Sequence, residues 1–119
     1  MTDLSVTTRI LPAGAAIEVS GDLDHHTAPR IRGVLPTLPL GHGQQLLVDL
    51  GALTFCDSSG ITALIAARNH AMAAGATLAL VAVPDRVRRI FTMVGLDRVF
   101  PTYPTVQDAE AAWQPPPAE

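Results

Sequence analysis

The chain has no lysine: all eight of its basic residues are arginine. That removes the usual Schiff-base nucleophile and the lysine of a phosphate-binding P-loop. Cys56 is the only cysteine, so no internal disulfide can form. No spacing places a histidine to activate it, and it reads as a buried residue at a strand end. No G-x-S-x-G elbow supports a Ser-His-Asp hydrolase, and no Gly-rich loop is present to cradle phosphate. His25 and His26 are adjacent and have no Cys or carboxylate at ligand spacing, so neither a metal site nor a cofactor is expected. No apolar run approaches the ~20 residues of a membrane helix. Met1-Thr2-Asp3-Leu4-Ser5 has neither the basic start nor the apolar stretch of a signal peptide, so the expectation is a cytoplasmic protein. A net charge of −3 argues against direct nucleic-acid binding. The one basic cluster, Arg86, Arg88 and Arg89, reads as the solvated face of a helix. No internal repeat is visible.

What is present fits one soluble domain: 119 residues, 48% hydrophobic and 16% charged. The expected domain spans 3–113, with a flexible Pro-rich tail over 114–119. Its centre is the run from Leu46 to Arg68. Leu46 to Leu50 is nearly all apolar and suits a strand buried on both faces. Ile61, Leu64, Ile65, Arg68 and Met72 then recur at helical spacing. Between them, Asp57-Ser58-Ser59-Gly60 places Ser58 to cap the helix N-terminus, where partial positive charge also tolerates phosphate. In open α/β sheets that end of a strand is where ligands bind.

The rest alternates. Leu4 to Leu11 and Ala16 to Ser20 read as an antiparallel hairpin around Pro12-Ala13-Gly14. Thr27 is placed to cap a short helix from Ala28 to Leu35, with Pro29 in its first turn. Pro36 to Gln45 is a loop. Gly75 closes the central helix, and Thr77 to Val83 is another buried strand. Pro84-Asp85 opens a helix that runs to Val94 and stops at Gly95. Arg98 to Thr102 is a short last strand, and Thr105 caps a final helix with Trp113. Met72 and Met93 sit at helical apolar positions and read as core. The order β-β-α-β-α-β-α-β-α predicts an α/β fold: a mixed, mostly parallel sheet of four to five strands, an antiparallel N-terminal edge and about four helices.

These residues resemble those of STAS-domain anti-sigma-factor antagonists of bacteria. Gly21-Asp22-Leu23-Asp24-His25-His26-Thr27-Ala28 is similar to the family's G-x-L-D turn after the second strand. Val48-Asp49-Leu50 through Phe55-Cys56-Asp57-Ser58-Ser59-Gly60-Ile61 matches its D-S-S-G loop. Arg89-Ile90-Phe91 through Val94-Gly95-Leu96 is similar to its third helix. The resemblance implies the STAS fold and a non-enzymatic switch. By motif position Ser58 is the phosphorylatable serine, with Ser59 the competing acceptor. An anti-sigma factor that is also a serine kinase would bind the unmodified form, and a PP2C-type phosphatase would reset the cycle. Asp22, Asp24, His25, Thr27, Asp57, Ser59 and Gly60 are the candidate partner contacts. Asp24 also reads as an ordinary turn aspartate taking local backbone bonds. A monomer or weak homodimer is expected. The alternative is a STAS scaffold or small-ligand sensor in which phosphorylation is incidental; a small hydrolase using Ser58 is a third reading.

Overall fold

The computed structural model describes residues 3–114. The predicted tail falls almost wholly outside them. The strands are β1 (Ser5–Leu11), β2 (Gly14–Leu23), β3 (Gln45–Cys56), β4 (Thr77–Val81) and β5 (Thr102–Tyr103). The helices are α1 (Ala28–Val34), α2 (Ser58–Ala73), α3 (Asp85–Met93) and α4 (Val106–Ala112). The five strands lie in the order β1-β2-β3-β4-β5. β1 runs antiparallel to β2, and every other pair is parallel. The predicted class and element order therefore match the structure.

Two layers of core flank the sheet. α1, α2 and α3 cover one face, over Ile17, Val19, Leu46, Val48, Leu50 and Leu80. α4 covers part of the other, where Val106 and Ala109 meet Ala16, Leu47, Ala79 and Val81. Alternation along β3 sends Leu46 and Val48 to the first layer and Leu47 to the second, so the first half of this strand is buried on both faces.

Several local expectations are corrected. β3 runs to Cys56, six residues past Leu50, because it keeps pairing with β2 beyond the end of β4 across register shifts at Glu18/Ser20 and Gly21/Asp22. Residues 96–98 form a 3-10 turn, and the last strand is only Thr102–Tyr103. Met72 and Met93 are 53% and 84% exposed, not core. In α2 the buried stripe is Gly60, Ala63, Leu64, Ala67 and Ala71, so small residues let the helix lie close to the sheet and Met72 turns outward. In α3, Val87 and Phe91 point inward, and Met93 lies two positions further round. Gly75 comes one residue after the C-cap, Ala74, with φ +77°. Trp113 is half-buried, and its indole N–H donates to the Gly43 carbonyl at 3.2 Å.

Candidate functional site

β2 and β3 end as paired neighbours, Leu23 beside Cys56. The two loops that follow therefore start side by side, and the Asp57 amide donates to the Leu23 carbonyl at 3.2 Å. This brings the Asp24–Thr27 turn next to the Asp57–Gly60 loop at the carboxyl end of the parallel strands.

The helix cap is Asp57, not Ser58. Asp57 has extended backbone, and its Oδ1 accepts from the amides of Ser59 at 2.9 Å and Gly60 at 3.2 Å. Its carbonyl takes the Ile61 amide at 3.1 Å. Asp and Ser are both favoured caps, and the carboxylate, one residue earlier, takes the place. Ser58 is thus the first helical residue. Its side chain is exposed and enters no hydrogen bond among the described residues, while its carbonyl accepts from the Thr62 hydroxyl at 2.9 Å.

Gly60 is where α2 comes closest to β2 and β3. A Cβ there would lie 2.7 Å from the Cys56 sulfur, 2.8 Å from Leu23 Cγ and 2.9 Å from the Leu23 carbonyl oxygen. Only a residue without a side chain lets the helix start at this depth. Cys56 itself is buried. Burial, with the Asp57 charge adding to it, pushes its thiol up to about 11, so it stays protonated and unreactive.

The neighbouring turn is built on Asp24. Its Oδ1 accepts from the amides of His26 at 2.9 Å and Thr27 at 3.1 Å. Desolvation pushes this carboxyl up, but the donors from Thr27 and His26, with the His26 charge, hold it below its usual value. Thr27 stands at the cap position of α1 without making a capping bond. Its hydroxyl instead donates to the Asp22 carbonyl at 2.7 Å and accepts the Asp24 amide at 2.9 Å. The Asp22 carboxylate takes the Thr54 hydroxyl at 2.6 Å on the adjacent strand, and the Thr54 carbonyl in turn accepts from Arg86 at 2.6 Å.

His25 is exposed and stands edge-on to His26, ring centroids 5.8 Å apart. It shares a shallow groove of about 180 Å³ with Ala28, Pro29, Arg32, Ser59 and Thr62. Ser59 therefore faces α1 and is half-buried, whereas Ser58 faces solvent. The sequence reading missed Arg32 in this groove. It also missed an apolar cleft of about 200 Å³ on the other side of Cys56, where Phe55, 48% exposed, meets Arg86 and Ile90. Phe55 lies inside the quoted loop motif, and a large aromatic beside a predicted functional serine was the available signal.

A family model for the STAS domain matches residues 4–109. The chain is 29% identical over 83 residues to the anti-sigma-B factor antagonist of Listeria monocytogenes, covering 70% of this chain and 73% of that one. It is 28% identical over 88 residues to the anti-sigma F factor antagonist of Paenibacillus polymyxa, covering 73% and 75%. Among solved structures, an anti-sigma factor antagonist from Mycobacterium paratuberculosis superimposes with a TM-score of 0.76 at 28% identity, covering 93% of this chain and 94% of the other.

Proposed function

This chain belongs to the STAS domain family, and from that premise we propose that it is an anti-sigma-factor antagonist switched by phosphate on Ser58. It acts as a regulatory binding protein rather than an enzyme. The unmodified form binds an anti-sigma factor serine kinase through the Asp57–Gly60 loop and the Asp24 turn, and so frees the sigma factor. Phosphorylation of Ser58 ends that binding, and a PP2C-type phosphatase restores it. Asp22, Asp24, His25, Thr27, Asp57, Ser59 and Gly60 form the contact region in this reading.

One observation carries it: the Ser58 hydroxyl is exposed and unbonded on a helix whose cap is already filled by Asp57. The fold does not need this hydroxyl, so a kinase can take it without unravelling the helix. The Ser59 and Gly60 amides are committed to Asp57. They are not waiting for a phosphate, as a Ser58 cap would have left them. The added charge, about −1.5 to −2 at pH 7, therefore stands at the surface beside the Asp57 carboxylate. Burying it against a partner without a matched cation is costly. A loss of ~3–5 kcal/mol weakens binding by ~10²–10⁴-fold, and no conformational change is required.

Calorimetric titration of the cognate kinase with unmodified, phosphorylated, Ser58→Ala and Ser58→Glu protein tests this. Ser58→Ala should bind like the unmodified form. The phosphorylated protein should bind at least a hundredfold more weakly, and Ser58→Glu should weaken in the same direction. Equal affinity of the modified and unmodified forms, as a STAS scaffold would give, overturns the reading. So does stoichiometric phosphorylation of Ser58→Ala at Ser59.

A further inference from the structure

The sheet ends in two edges of unequal length. β5 has two residues, whereas β1 has seven, with no proline and no register shift against β2. Leu11 and Gly14 pair across a two-residue turn. They therefore exchange both main-chain hydrogen bonds, and bonded pairs recur at every second residue from there. Ser5, Thr7, Arg9 and Leu11 direct their N–H and C=O groups at β2. Val6, Thr8 and Ile10 direct theirs outward, where no partner stands among the described residues. An open edge of this kind is a template for another strand.

The edge is closed at both ends. The Leu4 amide donates to Asp3 Oδ1 at 2.9 Å, and the Leu4 carbonyl accepts from Arg30. At the other end stands Pro12, which has no N–H. What remains is symmetric about Thr8. An antiparallel copy of the same strand, with its Thr8 opposite Thr8, sets Val6 against Ile10 on either side. Every outward N–H of each strand then finds a carbonyl. Centring the pair on Thr7 sets Ile10 against Leu4, whose groups are already bonded. Centring it on Arg9 sets Val6 against Pro12.

The side chains agree with this register. Val6 packs against the first core layer, so Val6, Thr8 and Ile10 share that face of the sheet. Ile10 is 75% exposed. It would lie across from Val6 of the second copy, with about 5.5 Å between Cα atoms. On the other face Arg9 would lie across from Thr7 of the second copy, and Thr7 pairs in turn with Glu18. Arg9 and Glu18 are both exposed, and neither makes an ion pair or hydrogen bond among the described residues. Two strand spacings, about 10 Å between Cα atoms, separate Arg9 from Glu18 of the second copy. The two side chains together span that gap, and twofold symmetry makes the contact twice. We propose that a second copy of this chain docks on β1, edge to edge and antiparallel about Thr8, so that the two sheets become one. The contact uses no residue of the Asp57–Gly60 loop and is independent of the Ser58 switch.

Sedimentation equilibrium over a wide concentration range tests this. The mass should rise from 12.5 kDa toward twice that value. Thr8→Pro removes an N–H that β2 does not use, so the hairpin keeps its bonds, and dimerisation should weaken at least tenfold. Arg9→Glu should weaken it by about tenfold, through like charges facing each other twice. Adding Glu18→Arg to Arg9→Glu restores opposite charges and should restore the dimer. In the natural chain, hydrogen exchange at the Val6, Thr8 and Ile10 amides should slow as concentration rises, while the Thr7 and Arg9 amides, already bonded to β2, should not change. The proposal fails if the mass stays at one chain up to about 1 mM. It also fails if Thr8→Pro dimerises unchanged, if the charge swap does not restore what Arg9→Glu loses, or if the new protection falls outside β1. Should Thr8→Pro not fold, the charge swap and the exchange pattern decide the matter.

Discussion

Replacing Asp57 separates the fold's requirement for a cap from the proposed switch's requirement for a hydroxyl. In Asp57→Ala the amides of Ser59 and Gly60 lose their acceptor. Gly60 is buried and Ser59 half-buried, so water replaces that acceptor poorly. Loss of an N-cap costs about 0.5–2 kcal/mol, and two committed amides put this case in the upper half of that range. For a domain of 119 residues each kcal/mol moves the melting temperature by about 3–6 °C. Asp57→Ala should therefore melt about 3–12 °C lower. Asp57→Asn keeps the acceptor oxygen and loses only the charge, which is worth ~0.3–1 kcal/mol at a helix N-terminus; its loss should be smaller. Ser58→Ala should change stability by less than ~0.5 kcal/mol. Urea unfolding of the three variants beside the natural chain measures all of this. If Ser58→Ala costs as much as Asp57→Ala, or if Asp57→Asn falls as far as Asp57→Ala, the cap is wrongly assigned and the argument for a dispensable hydroxyl goes with it.

Gly60→Ala places a Cβ within 2.9 Å of the Leu23 carbonyl oxygen, a backbone atom that cannot swing aside. Overpacking of ~1–3 kcal/mol outweighs the ~1 kcal/mol that alanine gains in helix propensity, so equilibrium unfolding should find the variant less stable or at best equal. Asp24 has a lowered pKa in the folded chain. Its contribution to stability is fully present above its unfolded value of 3.8 and is lost as the pH falls through the lower folded value. The stability gap between the natural chain and Asp24→Ala should hold at neutral pH and close on acidification below 3.8; a gap that widens there contradicts the assignment. Cys56, buried with its thiol pushed up to about 11, should resist a disulfide reagent at pH 8 until urea unfolds the chain. Prompt modification of the folded protein would count against its burial.

Element order was legible because the hydrophobic period changes cleanly along the chain. The run at Leu46–Leu50, the helical spacing after Gly60 and the stop at Gly95 are all local signals. What escaped was set by partners distant in sequence. Gly51 and Thr54 look like loop residues, yet β3 continues through them because the end of β2 pairs alongside. Large apolar residues marked the buried stripe on α2 only in part: Leu64 is core and Ile61 and Ile65 pack against it, but Met72 is exposed and the stripe is completed by alanines that carry little periodic signal. The cap was misplaced by one residue because Asp57 and Ser58 both favour the role and only the backbone geometry separates them. Asp24 was legible as a turn aspartate, and its carboxylate does take two local amides; Thr27 and Gly60 were found as residues, but their tasks, tying that turn to Asp22 and giving the helix room beside Leu23, were not. The groove that joins His25, Arg32 and Ser59 comes from two helix starts more than twenty residues apart, and no spacing rule reaches that far.

The arrangement also distinguishes the two serines on physical grounds. A phosphate on Ser59 would enter a groove that already holds His25 and Arg32, and charge-assisted hydrogen bonds from Arg32 could absorb much of its charge. A partner would then meet a partly neutralised group and a weaker switch. A phosphate on Ser58 stands on the open side of the helix, beside Asp57, whose carboxylate is already spent on two amides. In the proposed switch, the repulsion from an acidic partner surface, or the desolvation cost against an apolar one, would therefore be greatest at Ser58. With Asp57 as the cap, the added charge is left to act on the partner instead of on the helix that carries it.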